Sequence, residues 1–363
     1  LSKMRPIVSF SQHPNRRLLK VAGKAFSFLL ADLQASQVVD SFSLFTCADF
    51  KVKMTSQFPA FSKASGGDFQ VIQGDVKNMY TNVDHSTLER TIRWAVDLAT
   101  AKLPSKFGIL VKLGNKSIKP MWASSSSHIR FACSSRGFHH ISLSDLMRVL
   151  IFDFQNVFFT VGDRILQQRL GVPMGSPCSP ALAIALCMHA EHLFLAPLDK
   201  SKFLGFRYMD DLLLLCPRGV SFPEIANIYP APLSLQQEFP VDGRWEFLES
   251  ELSFPFSGAS FDLNYFNKNW RRILAGLEPL RNCPHFSTCV PHAWQFGRVV
   301  GKLCRIQANS CGAKNTFMGA VCAFGEFSAF GASRSVLHSA AVRMAYKGNY
   351  NPVWEAALSD VFL

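Results

Sequence analysis

Two adjacent carboxylates, Asp210 and Asp211, stand in the stretch FRYMDDLLLL (residues 206–215), between an aromatic flank and a run of leucines. A third, Asp75, closes the alternating segment FQVIQGD. The flanks of "FRYMDDLLLLC" read as strand, tight turn, strand, with the acidic pair in the turn. If that hairpin lies beside the strand ending in Asp75, three carboxylates converge on one small volume. Left alone they would repel and raise each other's pKa in a partly dry site. Divalent cations remove that penalty, because Mg²⁺ prefers oxygen ligands and bridges protein carboxylates to substrate phosphates. Two such ions can activate an attacking hydroxyl and stabilise a leaving oxygen in phosphoryl transfer. A "DD" pair by itself is more often an ordinary surface turn. Here an apolar hairpin surrounds it, and two further motifs accompany it in order.

The elements that must position these groups are legible in outline. "RRLLKVAGKAFSFLLADLQ" (residues 16–34) carries apolar residues at helical spacing. After the loop-like "SKASGGD", "FQVIQ" alternates as a half-buried strand. "DHSTLERTIRWAVDLA" reads as a helix with Asp84 or Ser86 as N-cap and Glu89 in its first turn. Residues 101–140, basic and Ser-rich, read as a hairpin-bearing insertion with mobile tips. A helix over "SLSDLMRVLIFDFQN", a strand pair in "VFFTVGDRILQQRL" and the Gly/Pro loop "GVPMGSPCSP" follow, and that loop feeds the small-residue helix "ALAIALCMHAEHLFL". From about residue 259 the chain becomes "FDLNYFNKNWRRILAGLEPLRNC" and then a mostly helical, basic tail.

Composition narrows the class. Of 363 residues, 48% are hydrophobic and only 18% charged, so the chain is globular, and its length suits two or three lobes. Lys and Arg number 38 against 26 Asp and Glu, a net charge of +12 that points to a polyanionic partner, nucleic acid before a membrane surface. The ten cysteines lie singly along the chain, which suits a reducing, intracellular setting. The longest apolar runs fall far short of the roughly 20 residues that a bilayer span needs. The chain opens at Leu1 without Met and reads as a fragment.

"GDVKNMYTNVDH", "QQRLGVPMGSPCSPALAIALC" and "FRYMDDLLLLC" resemble the successive motifs A, B and C of reverse transcriptases. With "KMRPIVS", "MYTNV", the approach "LIFDFQNVFFTVGDRILQQRLGVPMGSP" and "FLESELSF", the likeness over residues 1 to about 310 is to the reverse transcriptases of Penelope-like elements, relatives of telomerase reverse transcriptases. The resemblance implies an α+β right-hand polymerase with fingers, an antiparallel-sheet palm with helices, and a mostly helical thumb. Its segments would be residues 1–73 (fingers), 74–100 (palm, motif A), 101–160 (fingers insertion), 161–258 (palm, motifs B to E) and 259–363 (thumb). The implied activity is RNA-directed DNA polymerisation from a primer 3′-hydroxyl with dNTPs. Its cofactor would be two Mg²⁺ ions, for which Mn²⁺ can substitute, and its partners an RNA template and a DNA or RNA primer, with no membrane. The setting would be the nucleus for a eukaryotic retroelement.

Residue by residue, the resemblance implies metal binding by Asp75, Asp210, Asp211 and the Val76 carbonyl. Tyr80 falls at the steric gate against a 2′-hydroxyl. Lys3, Arg5, Gln168, Met174 and Gly175 match the dNTP-binding positions. Pro173, Ser176, Pro177, Tyr208, Met209, Phe247, Leu248, Arg271, Arg272, Arg298 and Lys302 match template or primer contacts, with Arg305, Trp270 and Trp294 nearby. The region "YPAPLSLQQEF" holds no lysine to match the motif D general acid, Glu249 stands where Asp is usual, and no GIY-YIG endonuclease signature follows. Cys283, His285, Cys289 and His292 are spaced poorly for zinc, and a nucleic-acid-facing loop is the better reading there. Two rivals remain open: a viral RNA-dependent RNA polymerase, against which Tyr80 and the lack of Asn in "ALAIALC" argue, and a catalytically dead palm kept for binding.

Overall fold

The computed structural model describes residues 9–362 except 82, 104, 115, 116, 232, 256, 257, 268, 270, 271, 273, 274, 279, 281–283, 348 and 349. In chain order, α1 (Arg16–Ala35) and α2 (Ala48–Ser65) precede strand β1 (Gln70–Lys77), which carries Asp75, and α3 (His85–Lys102). Strands β2 (Ile109–Val111) and β3 (Met121–Trp122), helix α4 (Ser126–Arg136) and strand β4 (His139–Ile141) come next. Helix α5 (Leu143–Gln155) then leads to the hairpin of β5 (Phe158–Val161) and β6 (Arg164–Gln167). Helix α6 (Ser179–Leu195) is followed by β7 (Leu204–Tyr208), β8 (Asp211–Cys216), the short α7 (Phe222–Ala226) and β9 (Ser234–Glu238). Strands β10 (Trp245–Phe247), β11 (Ser250–Ser253) and β12 (Asp262–Tyr265) precede α8 (His292–Asn309), α9 (Gly312–Ala329), α10 (Arg334–Ala345) and α11 (Val353–Phe362). The named sheets of the described residues are all antiparallel, so the mixed α and β composition expected from sequence holds. No helix of the described residues is long and apolar enough to cross a membrane.

Contacts divide the chain into two units, one made of residues up to 45 with 70–238, the other of 46–69 with 239–363. The first is built on a sheet of order β7-β8-β1-β9. Its central strand β8 is buried on both faces, which is why its sequence is a continuous Leu212–Cys216 run and not an alternation. β1 does alternate: Ile72, Gly74 and Val76 are buried, whereas Gln73, Asp75 and Lys77 are only half-buried. Ile72 and Val76 join Leu212 and Leu214 in one core with Phe26, Leu30, Ile92 and Leu186 from α1, α3 and α6. Directly opposed residues share a sheet face, and the pairing Asp75↔Asp211 therefore puts both carboxylates on the face away from this helical core.

In the second unit, α2 lays Phe50, Met54, Phe58 and Phe61 along one stripe. Phe58 lies 6.0 Å from Phe69, 5.7 Å from Phe254 and 5.1 Å from Phe261, ring centre to ring centre. The sheet order is β10-β11-β12, and α8 to α11 surround Val299, Leu303, Phe324, Leu337 and Trp354. Two features go beyond the sequence reading. Residues 46–69 group with the C-terminal part of the chain, not with the residues on either side of them. The tail from residue 259 also opens with a strand, β12, which pairs Leu263 with Leu252.

Leu214 is fully buried in the first core. Leu214→Ala is expected to lower stability by about 2–5 kcal/mol through lost transfer energy and a residual cavity; an unchanged midpoint in urea denaturation would contradict the packing.

Candidate active site

The hairpin β7–β8 turns through Met209 and Asp210, with Tyr208 opposite Asp211. Met209 adopts φ +56°, a left-handed conformation that costs a non-glycine residue roughly 1–2 kcal/mol. The turn is held from β1: Val76 N donates to the Asp210 carbonyl at 2.7 Å. Asp75, Asp210 and Asp211 are thus brought to the same end of two adjacent central strands, as the sequence predicts, with Asp210 in the turn and Asp211 as the first residue of β8.

Lys77, two residues beyond Asp75 and on the same face of β1, donates to Asp75 Oδ2. Asp75 Oδ1 is buried and has no hydrogen-bond partner. The Asp211 carboxyl is pushed up to about 6 by partial desolvation and by the charges of Asp210, Asp75 and Glu238, with Lys77 pulling the other way. Among the described residues no three His, Cys, Asp or Glu side chains form a metal cage by themselves. The donors present are carboxylates and backbone carbonyls. They suit Mg²⁺, which commonly uses one or two protein carboxylates and completes its shell with water and substrate phosphates. The buried, unpartnered Asp75 Oδ1 is an acceptor left open for such an ion.

An open cavity of about 900 Å³ is lined among others by Tyr80, Gln168, Met174, Val172, Phe158 and Ile165. Burial, the Asp210 charge and Cys187 push the Tyr80 hydroxyl up to about 12. The loop before α6 is tied to the Tyr80 backbone: Val172 N donates to Tyr80 O at 2.8 Å, and Gly171 N to Val83 O at 2.7 Å. Gly171 has φ +72°, and a Cβ there would stand 2.2 Å from Tyr80 O, so the approach requires glycine. Sequence reasoning missed Asp153 on α5. This buried carboxylate accepts from Ser176 Oγ at 2.6 Å, and Ser176 Oγ in turn accepts from Cys178 N at 3.1 Å. Burial pushes the Asp153 carboxyl up.

Other expected contacts fall differently. Gln168, half-buried, donates to Leu170 O at 2.8 Å; Gly175 is exposed, and Met174, Pro177, Tyr208 and Met209 are half-buried. Pro173 and Ser176 are buried, so their side chains shape the loop from inside and offer no surface to a duplex. Phe247 is also buried, against Phe50 at 4.9 Å, because its ring completes the core beneath the β10–β11 turn. In that turn Leu248 and Glu249 take φ +50° and +62°, and Asn309 Nδ2 donates to Leu248 O at 3.3 Å. Lys302 is not a free surface cation: its ammonium is mostly buried, 3.7 Å from Glu326 and 5.1 Å above the Tyr265 ring. Arg298 packs over Phe286 and donates to Pro284 O, Arg272 donates to Glu278 O, and Arg305 meets Glu249 at 3.4 Å. Trp294 is 72% exposed. His285 Nδ1 is within 2.7 Å of Ser287 Oγ. Lys3, Arg5, Trp270, Arg271 and Cys283 lie outside the described residues.

No protein-family model matches the chain, and no curated protein matches it in sequence. Among solved structures, telomerase from Candida albicans in complex with a TWJ fragment of telomeric RNA is similar over 94% of this chain and 56% of its own, at 14% identity and a TM-score of 0.56. Telomerase from Candida tropicalis in complex with a TWJ fragment of telomeric RNA is similar over 96% of this chain and 57% of its own, at 10% identity and a TM-score of 0.50. The chain therefore spans little more than half the length of these telomerases. At such identities the likeness concerns the fold alone, which this chain shares with those two telomerases.

Gly171→Ala should lower stability by roughly 1–3 kcal/mol, from a left-handed alanine and a clash with the Tyr80 carbonyl. Hydrogen exchange at the Val172 amide should accelerate with it. A variant with wild-type exchange at Val172 would show that the close approach is not required.

Proposed function

We propose that the chain is the catalytic part of an RNA-directed DNA polymerase, extending a primer 3′-hydroxyl with dNTPs on an RNA template, and that it comes from a Penelope-like retroelement acting in the nucleus. The observation that carries the reading is the convergence of Asp75, Asp210 and Asp211 at one end of β1 and β8, with Asp75 Oδ1 buried and unpartnered. The telomerase-like fold supports it, as do the motifs in order A, B, C and the net charge of +12. In this reading the β7-β8-β1-β9 sheet with α3 and α6 is the palm, α1 and residues 101–160 belong to the fingers, and residues 259–363 to the thumb. Both Candida telomerases are in complex with a fragment of telomeric RNA, which favours RNA as a partner here as well.

Asp75 and Asp210, with the Val76 carbonyl and Asp211 beside them, would hold two Mg²⁺ ions, which when bound activate the primer hydroxyl and neutralise charge on the leaving pyrophosphate. The protein's own part is electrostatic and steric. Lys77 supplies positive charge to Asp75 through Oδ2, and Oδ1 would be the oxygen offered to a cation. Tyr80, whose hydroxyl is pushed up to about 12, lines the cavity, where its ring would pack under the sugar and exclude a 2′-hydroxyl. The motif B loop, fixed to the Tyr80 backbone and to Asp153, sets the opposite wall for the base pair. The β9 region holds no lysine, and no proton donor to pyrophosphate is assigned.

Primer extension on an RNA template with Mg²⁺ and dNTPs tests the reading. Asp75→Ala and Asp210→Ala should each lower the rate by about three orders of magnitude, on the order of 4 kcal/mol of barrier. Asp211→Asn should cost about tenfold. Equal product from wild type and Asp210→Ala would sink the mechanism. Tyr80→Ala should reduce discrimination against rNTPs by about 10²-fold. Preference of the wild type for rNTPs would favour an RNA-dependent RNA polymerase instead.

A further inference from the structure

Arg207, three residues before Asp210, is fully buried, and its guanidinium is paired with the equally buried carboxylate of Glu191 on α6. Its donors are directed to separate places. Nε donates to Glu191 Oε1, Nη2 to Ser43 Oγ, and Nη1 to the carbonyl of Met209 at 3.0 Å. Glu191 is saturated in turn, accepting from Tyr229 OH at 3.0 Å, Ser41 Oγ at 2.7 Å and Phe42 N at 3.0 Å. The backbone completes the lock: Arg207 N donates to Phe42 O at 2.6 Å and receives Leu44 N on its own carbonyl at 2.7 Å. Residues 41–44, α6, β7 and Tyr229 are all fastened to the Arg207–Glu191 pair.

A buried ion pair is a poor device for stability, since an apolar pair of similar volume often does as well or better. What this pair does that an apolar pair cannot is place a donor on Met209 O. Met209 is the left-handed residue of the turn, and its carbonyl leads into Asp210. The turn is therefore clamped from two sides, by Val76 N on the Asp210 carbonyl and by Arg207 Nη1 on the Met209 carbonyl. Strained backbone persists where its surroundings over-determine it.

We infer that Arg207, held in orientation by Glu191, is a positioning residue that fixes the Met209–Asp210 turn and so aims the Asp210 carboxylate at the metal and the reacting phosphate. Lysine cannot replace it, because a single ammonium nitrogen does not reach Glu191, Ser43 and Met209 O in the planar fork that arginine provides. The inference rests on the polymerase reading, and its test is arranged so that the two can fail separately.

Three proteins are compared, all as the full 363-residue chain: wild type, Arg207→Lys, and the apolar double variant Arg207→Met with Glu191→Leu, which removes the pair without stranding a buried charge. Folding is checked by circular dichroism and thermal melting. In primer extension, folded Arg207→Lys should lose about 10²-fold in kcat with its KM for dNTP within about twofold of wild type, as expected when a reacting group is displaced by a fraction of an ångström to an ångström. Titration with MgCl₂ alone, read as the rise in melting temperature, needs no turnover. Both variants should require several-fold more Mg²⁺ than wild type. If Arg207→Lys does not fold, the double variant decides: wild-type kcat and Mg²⁺ midpoint in it would overturn the inference, as would wild-type values in folded Arg207→Lys. Inactive wild type with a Mg²⁺ midpoint that shifts in the variants would reject the polymerase reading and keep the positioning role.

Discussion

Three carboxylates at one end of a sheet repel one another, and most of the first unit can be understood as the structure that holds them there. Two unit charges about 4 Å apart interact by several kcal/mol at the effective dielectric of a protein surface. The opposing force comes from β8, whose Leu212–Cys216 run is buried on both faces, and from Ile72 and Val76 on the buried face of β1. A slip of one residue between these strands would turn Asp75 into the core and Val76 out of it. The apolar faces thus fix the register, and the register fixes the acids. The leucines after "MDD" are the anchor that makes the adjacent charges possible.

The polar groups around the site divide into those that compensate charge and those that hold shape. Lys77 compensates: it meets Asp75 from the same strand face without closing off Oδ1. Ser176 with Asp153, and Arg207 with Glu191, hold shape from below. Both of these pairs are buried and hydrogen-bonded, which is the condition for a polar group inside a protein to be tolerated. The two sets do not overlap. Groups that hold shape are saturated within the fold, whereas Asp75, which would receive a ligand, is left partly unsatisfied.

What could be read from the sequence was whatever a local pattern determines. The alternation in "FQVIQ", the N-cap at Asp84, which accepts from Ser86 N and Thr87 N, and the hairpin around Met209 each follow from backbone preferences within a few residues. Long-range choices were hidden. Lys302 and a phosphate-binding lysine look alike in sequence, and only the fold reveals that Glu326 lies 3.7 Å away. Phe247 could have faced a duplex or Phe50, since its own strand alternates either way. The four-residue β12 is too short for periodicity to mark it, and it exists because Leu252 and Leu263 pair across 11 positions of chain. Helix α2 does carry a helical stripe, Phe50, Met54, Phe58 and Phe61, but Pro59 within it weakens the signal. Arg207 and Glu191, 16 residues apart on different elements, are ordinary charges until the hairpin is folded against α6.

Tyr80 connects the two halves of the site. It lies five residues beyond Asp75, so its position follows from the same strand whose register sets the carboxylates. Its carbonyl accepts from Val172 and leaves no room for a side chain at Gly171, while the residue lines the cavity. A shift of β1 would therefore move the acids, the ring and the loop before α6 together. A shift of the loop alone would break its bonds to Tyr80 and Val83 before it altered the carboxylates. The width of the cavity and the position of the acids are then set by one stretch of backbone. One register therefore governs both the cavity wall at Tyr80 and the carboxylates, although they belong to different elements.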